Sequence, residues 1–193
     1  MALLIAKKAP EINASAAVVN RTIENYTLDA LEGKNIILFF YPLDFTFVCP
    51  TELLAFEDRK ADFEKRDTVV VGCSTDSIFS HLAWLATPRS KGGIEGVSYP
   101  IIADFTKEIS RAYDVLDEEA GIPFRGLFLI DKKGIVRHQL INDLPLGRSI
   151  DEALRMVDAL TFYEKHGEVC PANWMEGKKS MKPTKKGLEA YFA

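Results

Sequence analysis

The chain has 193 residues, 47% of them apolar, with a net charge of −4 and a sequence pI near 5.5. That length and apolar content support one sizeable core. The acidic balance gives no electrostatic reason to expect nucleic acid or an anionic membrane as a partner. The opening segment, MALLIAKKAP, carries its lysines after its apolar stretch and is followed by no small-residue cleavage site, so it does not read as a secretory signal. No apolar run reaches the length of a membrane span, and the expected location is cytoplasmic.

Residues 17–30 alternate and turn like a small β-hairpin. Residues 35–41 form a continuous apolar run ending at Pro42, as a strand buried on both faces should. A helix is expected over 51–65, with Leu53, Leu54, Phe56 and Phe63 at helical spacing and Pro50 suited to the first helical position. TVVVGC (68–73) reads as a second buried strand, and Ser74 to Ser77 as a loop and cap before a helix over 77–86. A loop rich in Pro, Gly and Ser covers 87–99. A short strand at 99–102, a helix over 106–113 and a turn around 117–121 follow. Strands 125–131 and 134–141 meet at Lys133-Gly134 as a hairpin. A long amphipathic helix covers 149–165, with Ile150, Leu154, Val157 and Leu160 at helical spacing. Strands alternating with helices and ending in a hairpin indicate an α/β protein with a mixed central sheet flanked by helices. After Gly167 the composition turns polar and basic, so 1–166 reads as the main domain and 167–193 as a mobile C-terminal arm. The closing GLEAYFA is a short apolar finish suited to docking on a neighbouring surface.

Three cysteines, Cys49, Cys73 and Cys170, are too few and too scattered for a secreted disulfide framework. None has CxxC spacing, which excludes a dithiol within one loop. Cys49 stands at a strand-to-helix junction, after Pro42 and the hydroxyl of Thr46. Unpaired N–H groups and the positive end of the helix dipole at such a junction favour S⁻ over SH. Taken alone, a cysteine there reads equally well as a buried structural thiol. Cys73 ends an apolar strand and reads as an inert core thiol. His166 and Cys170 have ligand-like spacing, but two ligands do not make a zinc site, so no metal is expected. Trp84 and Trp174 read as core or interface, and the basic pairs at 178–179 and 185–186 as a solvated face.

The run PLDFTFVCPTE resembles the active-site loop of typical 2-Cys peroxiredoxins, the alkyl hydroperoxide reductase C and thioredoxin peroxidase type. The family motif is Pro, three residues, Thr, two residues, Cys, and it falls on Pro42, Thr46 and Cys49. GIPFRGLFLIDKKGIVRH (121–138) is similar to the family's strand pair bearing a second active-site residue, which maps onto Arg125. NDLPLGRSIDEALR (142–155) is similar to the stretch before the last long helix, and HGEVCPANW (166–174) to the resolving-cysteine motif, with Cys170 in the cysteine place. The likeness runs from Ala9-Pro10 to Tyr191-Phe192.

This resemblance implies a thioredoxin-like fold with an N-terminal β-hairpin and a C-terminal arm. It implies a peroxidase for hydrogen peroxide and alkyl hydroperoxides that needs no cofactor. Cys49 would attack the peroxide and become a sulfenic acid. Arg125 would stabilise the thiolate and bind the peroxide oxygens, Thr46 would hold the attack in line, and Pro42 would shield the sulfur. Glu52 and Arg148 would hold Arg125 in place. Cys170 of a partner subunit would then form the disulfide, which implies a homodimer, commonly assembled into a decamer. Thioredoxin or a dedicated disulfide reductase would reset the cycle. The resemblance also implies a hyperoxidation-sensitivity device made of a GG(L/I/V)G loop and a Tyr-Phe tail. Gly92, Gly93, Tyr191 and Phe192 match it, but Glu95 stands in the fourth glycine place, so intermediate sensitivity is expected. A second reading is an oligomeric holdase or redox relay. A phosphatase is excluded, because the arginine it needs six positions after the nucleophile is replaced by Ala55.

Overall fold

The computed structural model describes residues 3–19 and 21–193; Asn20, within the hairpin expected over 17–30, and the first two residues of MALLIAKKAP lie outside them. The chain forms two compact units, residues 1–150 and 151–193.

The first unit is built on a seven-stranded sheet in the order β2-β1-β5-β4-β3-β8-β9. β1 (Asn13–Val19) and β2 (Thr22–Thr27) form the antiparallel hairpin. β3 (Asn35–Phe40), β4 (Thr68–Ser74) and β5 (Ile101–Ala103) run parallel at the centre. β8 (Arg125–Ile130) pairs antiparallel with β3, and β9 (Val136–Asn142) pairs antiparallel with β8 to complete the sheet. Every residue of β3 and of β8 is buried, because both faces of the sheet are covered.

Side chains alternate across a strand, and the two faces have different covers. Ile36, Leu38 and Phe40 join Phe128, Ile109 and Tyr113 in one cluster, so α4 (Glu108–Ala112) lies on that face. On the other, Phe39 stacks on Phe56 of α1 (Cys49–Asp58) with ring centroids 4.4 Å apart. Phe56 meets Phe63 of α2 (Lys60–Glu64), and Tyr41 meets Trp84 of α3 (Ile78–Ala86). Gly72 of β4 sits opposite Phe39, and a Cβ there would come within 3.1 Å of the Phe39 ring. The second unit holds α5 (Ile150–His166) from Asp151 onward, an antiparallel bridge between Val169 and Met181, and α6 (Lys185–Phe192), whose first turn is capped by the Thr184 hydroxyl.

The mixed sheet flanked by helices agrees with the sequence reading, and several elements refine it. The helix expected over 51–65 begins at Cys49 and is two helices, because Arg59 leaves helical geometry (φ −107°, ψ 6°) and caps both. Pro50 is consequently the second helical residue. The turn around 117–121 closes a short ladder of β6 (Leu116–Asp117) and β7 (Ile122–Pro123). A 3₁₀ turn, Arg89–Lys91, lies in the expected loop. The apolar finish of the arm is helical.

Candidate active site

The parallel strands β3 and β4 deliver their C-terminal ends to one edge of the sheet, where open α/β sheets place their sites. β3 ends at Phe40, and the loop that follows leads straight into α1, whose first residue is Cys49. β8 runs antiparallel to β3, with Phe39 opposite Leu127, so its first residue, Arg125, comes to the same edge.

Cys49 is fully buried, and the Arg125 Nη1 donates to its Sγ at 3.4 Å. That guanidinium is held from two other sides: Nη1 also donates to Glu52 Oε2 at 2.8 Å, and Nε to the Leu144 carbonyl at 2.6 Å. Glu52 lies on the first turn of α1 and is itself buried. Its carboxylate also takes the Arg148 backbone N–H at 2.9 Å, Nε at 2.7 Å and Nη2 at 2.9 Å. Arg148 spends its remaining nitrogen on the carbonyls of Phe40 (2.8 Å) and Gly126, and its plane lies over the Phe39 ring. Burial pushes the Glu52 carboxyl up, but the hydrogen bonds and charge of Arg148, with the charge of Arg125, outweigh it and hold it below the usual carboxylate range. One carboxylate thus serves two guanidiniums, leaving an excess positive charge beside the Cys49 sulfur.

Pro42 is buried and Thr46 half-buried in the loop between β3 and α1. The Thr46 hydroxyl donates to the Leu43 carbonyl at 2.9 Å. Phe45 adopts φ 54°, a conformation that a bulky side chain takes only when its surroundings enforce it. The residue before it, Asp44, is anchored by a polar network that the sequence does not single out. Asp44 accepts from the Tyr41 hydroxyl at 2.8 Å and lies 2.8 Å from His81 Nδ1, while its backbone N–H donates to Asp76 at 2.9 Å. The Ser74 hydroxyl donates to the same Asp76 oxygen at 2.7 Å. Burial, and then the charge of Asp44, raise the Asp76 carboxyl above its ordinary value. The available signal was polar residues interrupting segments that are otherwise apolar; His81 in the apolar helix IFSHLAWLA is the clearest case.

Cys170, in the second unit, is half-buried, with its Sγ donating to the Ala159 carbonyl at 3.5 Å. Burial pushes this thiol up, and the nearby charge of Arg155 acts in the opposite sense. Tyr191 and Phe192 end α6, where Lys179 Nζ donates to the carbonyls of Ala190 and Tyr191. Gly92 has φ 77°, and a Cβ on Gly93 would fall 1.9 Å from the Thr87 carbonyl oxygen. Glu95 points to solvent, its N–H donating to Thr87 O and its carbonyl accepting from Arg89 Nε. Cys73 is buried in β4, and burial, aided by Asp104, pushes its thiol well above the ordinary range. The His166 ring packs on Phe162. Among the described residues no group of three His, Cys, Asp or Glu could hold a metal ion, and no helix is long and apolar enough to cross a membrane.

Comparison with known proteins matches the same two parts of the chain. The family model described as AhpC/TSA family matches residues 5–139, and the one described as the C-terminal domain of 1-Cys peroxiredoxin matches residues 159–193. An alkyl hydroperoxide reductase C from Helicobacter pylori is 56% identical over 192 residues, covering 98% of this chain and 96% of that protein. A thioredoxin peroxidase from Echinococcus granulosus is 50% identical over 193 residues, covering all of both chains. The crystal structure of the reduced 2-Cys peroxiredoxin of Plasmodium vivax superposes with a TM-score of 0.96 at 44% identity over 99% of each chain, and the fold is accordingly thioredoxin-like. A match over most of the chain, with half or more of its residues identical to full-length relatives, shows that the protein belongs to the AhpC/TSA family, among the 2-Cys peroxiredoxins.

Proposed function

We propose that the protein is a thiol-dependent peroxidase that reduces hydrogen peroxide and alkyl hydroperoxides. The observation that carries this reading is the Arg125 guanidinium, locked by Glu52 and Leu144 and donating to the Cys49 sulfur at 3.4 Å. The Cys49 thiolate attacks the distal peroxide oxygen; an S–O bond forms, the O–O bond breaks, and water or an alcohol leaves once protonated. Arg125 faces both the sulfur and the developing oxyanion, and it needs no reorganisation because its partners already fix it. Thr46 steers the peroxide, and Pro42 closes the loop side against water. Glu52 and Arg148 are positioning residues.

The Cys170 thiolate of a partner subunit then displaces water from the Cys49 sulfenic acid to give an intersubunit disulfide. Thioredoxin or a dedicated disulfide reductase restores both thiols. The assembly unit is a homodimer that builds a decamer, a reading supported by the solvent-exposed aromatic rings of Phe45, Phe47 and Phe79. A cytoplasmic setting, where thiols are kept reduced, suits a cycle that must return both cysteines to the thiol state.

Intact-mass analysis under non-reducing, denaturing conditions, after one equivalent of hydrogen peroxide, tests the scheme. A covalent dimer linked Cys49 to Cys170 is expected. An untouched Cys49 would remove the peroxidase reading and promote the holdase, whose client protection should survive Cys49→Ser.

A further inference from the structure

Arg155 stands on α5 one turn before Ala159, whose carbonyl takes the Cys170 thiol at 3.5 Å. Residues four apart share a helix face, so guanidinium and thiol lie along one side of α5. Glu152 fixes the guanidinium, accepting from Nε at 2.6 Å and from Nη2 at 2.7 Å. The remaining nitrogen, Nη1, donates to the Trp174 carbonyl at 3.1 Å. Trp174 closes the turn that begins just after Cys170, its N–H donating to Pro171 O at 3.0 Å. Its ring is buried and packs on Phe162 of α5 with centroids 4.8 Å apart. The stretch from Cys170 to Trp174 is therefore pinned to one helix by the thiol, by a carbonyl and by a ring.

This docking competes with the chemistry assigned to Cys170, and the inference rests on that assignment. A sulfur that donates its proton to a carbonyl must leave it and lose the proton before it can attack a sulfenic acid. While Cys170 stays docked, a second hydroperoxide can oxidise the Cys49 sulfenate instead, giving sulfinate and releasing water or an alcohol. We infer that Arg155 is a positioning residue that holds the Cys170–Trp174 turn on α5 and so sets how often Cys49 ends as disulfide or as sulfinic acid.

The experiment compares the full-length, fully reduced protein with Arg155→Gln and Arg155→Lys. Each is mixed with hydrogen peroxide and quenched over time, and sulfenic, disulfide and sulfinic forms are counted by mass. One charge-assisted hydrogen bond on a partly exposed turn corresponds to about a fivefold shift in docking. The Gln variant should form disulfide about fivefold faster, with an unchanged rate of sulfenic acid formation and a smaller sulfinic fraction at each peroxide dose. The Lys variant should fall between, since an ammonium reaches Trp174 O but cannot also fork onto Glu152. Alkylation of Cys170 in a Cys49→Ser background should accelerate by about the same factor in the Gln variant. Unchanged or slower disulfide formation in either variant overturns the inference, as does unchanged alkylation. Should the parent protein form sulfenic acid but no Cys49–Cys170 bond, the resolving role of Cys170 falls, and the alkylation rate alone then decides whether Arg155 holds the turn.

Discussion

Glu52 and Arg125 touch each other, yet removing Arg125 should chiefly cost rate and removing Glu52 chiefly stability. Arg125→Met leaves the Glu52–Arg148 pair intact and takes away the donor facing the Cys49 sulfur. Stopped-flow oxidation of Cys49 should slow by about 10²–10³-fold, the loss typical of one preorganised electrostatic donor, with a smaller effect on stability. Glu52→Gln leaves two guanidiniums in the interior without their carboxylate. Breaking a buried pair in this way costs about 3–5 kcal/mol, which urea unfolding should register as a lower midpoint at unchanged slope. An Arg125→Met protein that oxidises at the parent rate would show that the 3.4 Å contact has no kinetic role.

At the scale of elements, the loop over 87–99 contains a glycine position that leaves no room for a Cβ and a glutamate position that makes no demand for glycine. Gly93→Ala would push a Cβ to 1.9 Å from Thr87 O, where only backbone can yield, and the cost should be about 1–3 kcal/mol. Glu95 has no positive φ and its side chain faces solvent, so Glu95→Gly should cost roughly 0.4–1 kcal/mol of stability through chain entropy, seen as a slightly lower melting temperature. A Glu95→Gly protein that melts higher than the parent would mean that the glutamate strains the loop.

The same elements show what a sequence makes visible. β3 was readable because six buried residues in a row leave no other place for the segment than the middle of a covered sheet. Cys49 and Arg125 were readable through their motifs. The break at Arg59 was not, because Phe56 and Phe63 keep helical spacing across it and still meet. β6 and β7 are two residues each, too short to show a period. The Asp44 network was hidden because its members come from a loop, a strand end and a helix, and Asp44 and His81 lie 37 positions apart. Such a set becomes a network only when parallel strands bring their ends to one edge.

For the molecule as a whole, buried carboxylates govern the acid limb of stability. Burial raises Glu52 and Asp131, but their hydrogen bonds and arginine partners outweigh it and hold both carboxyls low. A group whose pKa is lower in the folded state contributes stability above its unfolded value and loses it as pH falls through the folded one. Asp76, raised chiefly by burial, works in the opposite sense and offsets part of this. The urea midpoint should therefore drop as pH falls below about 4, the ordinary carboxylate range, and Glu52→Gln should flatten that limb. A limb of equal steepness in the variant would assign the acid sensitivity elsewhere.

Cys73, which the chemistry does not use, gives the protein an internal gauge of its own opening. It is fully buried in a central strand, and its thiol is pushed well above the ordinary range, so alkylating reagents meet it only in molecules whose sheet has come apart. With Cys49 and Cys170 replaced by serine, the ratio of its labelling rate in buffer to that in urea reads the open population directly, one thiol per chain, with no added probe.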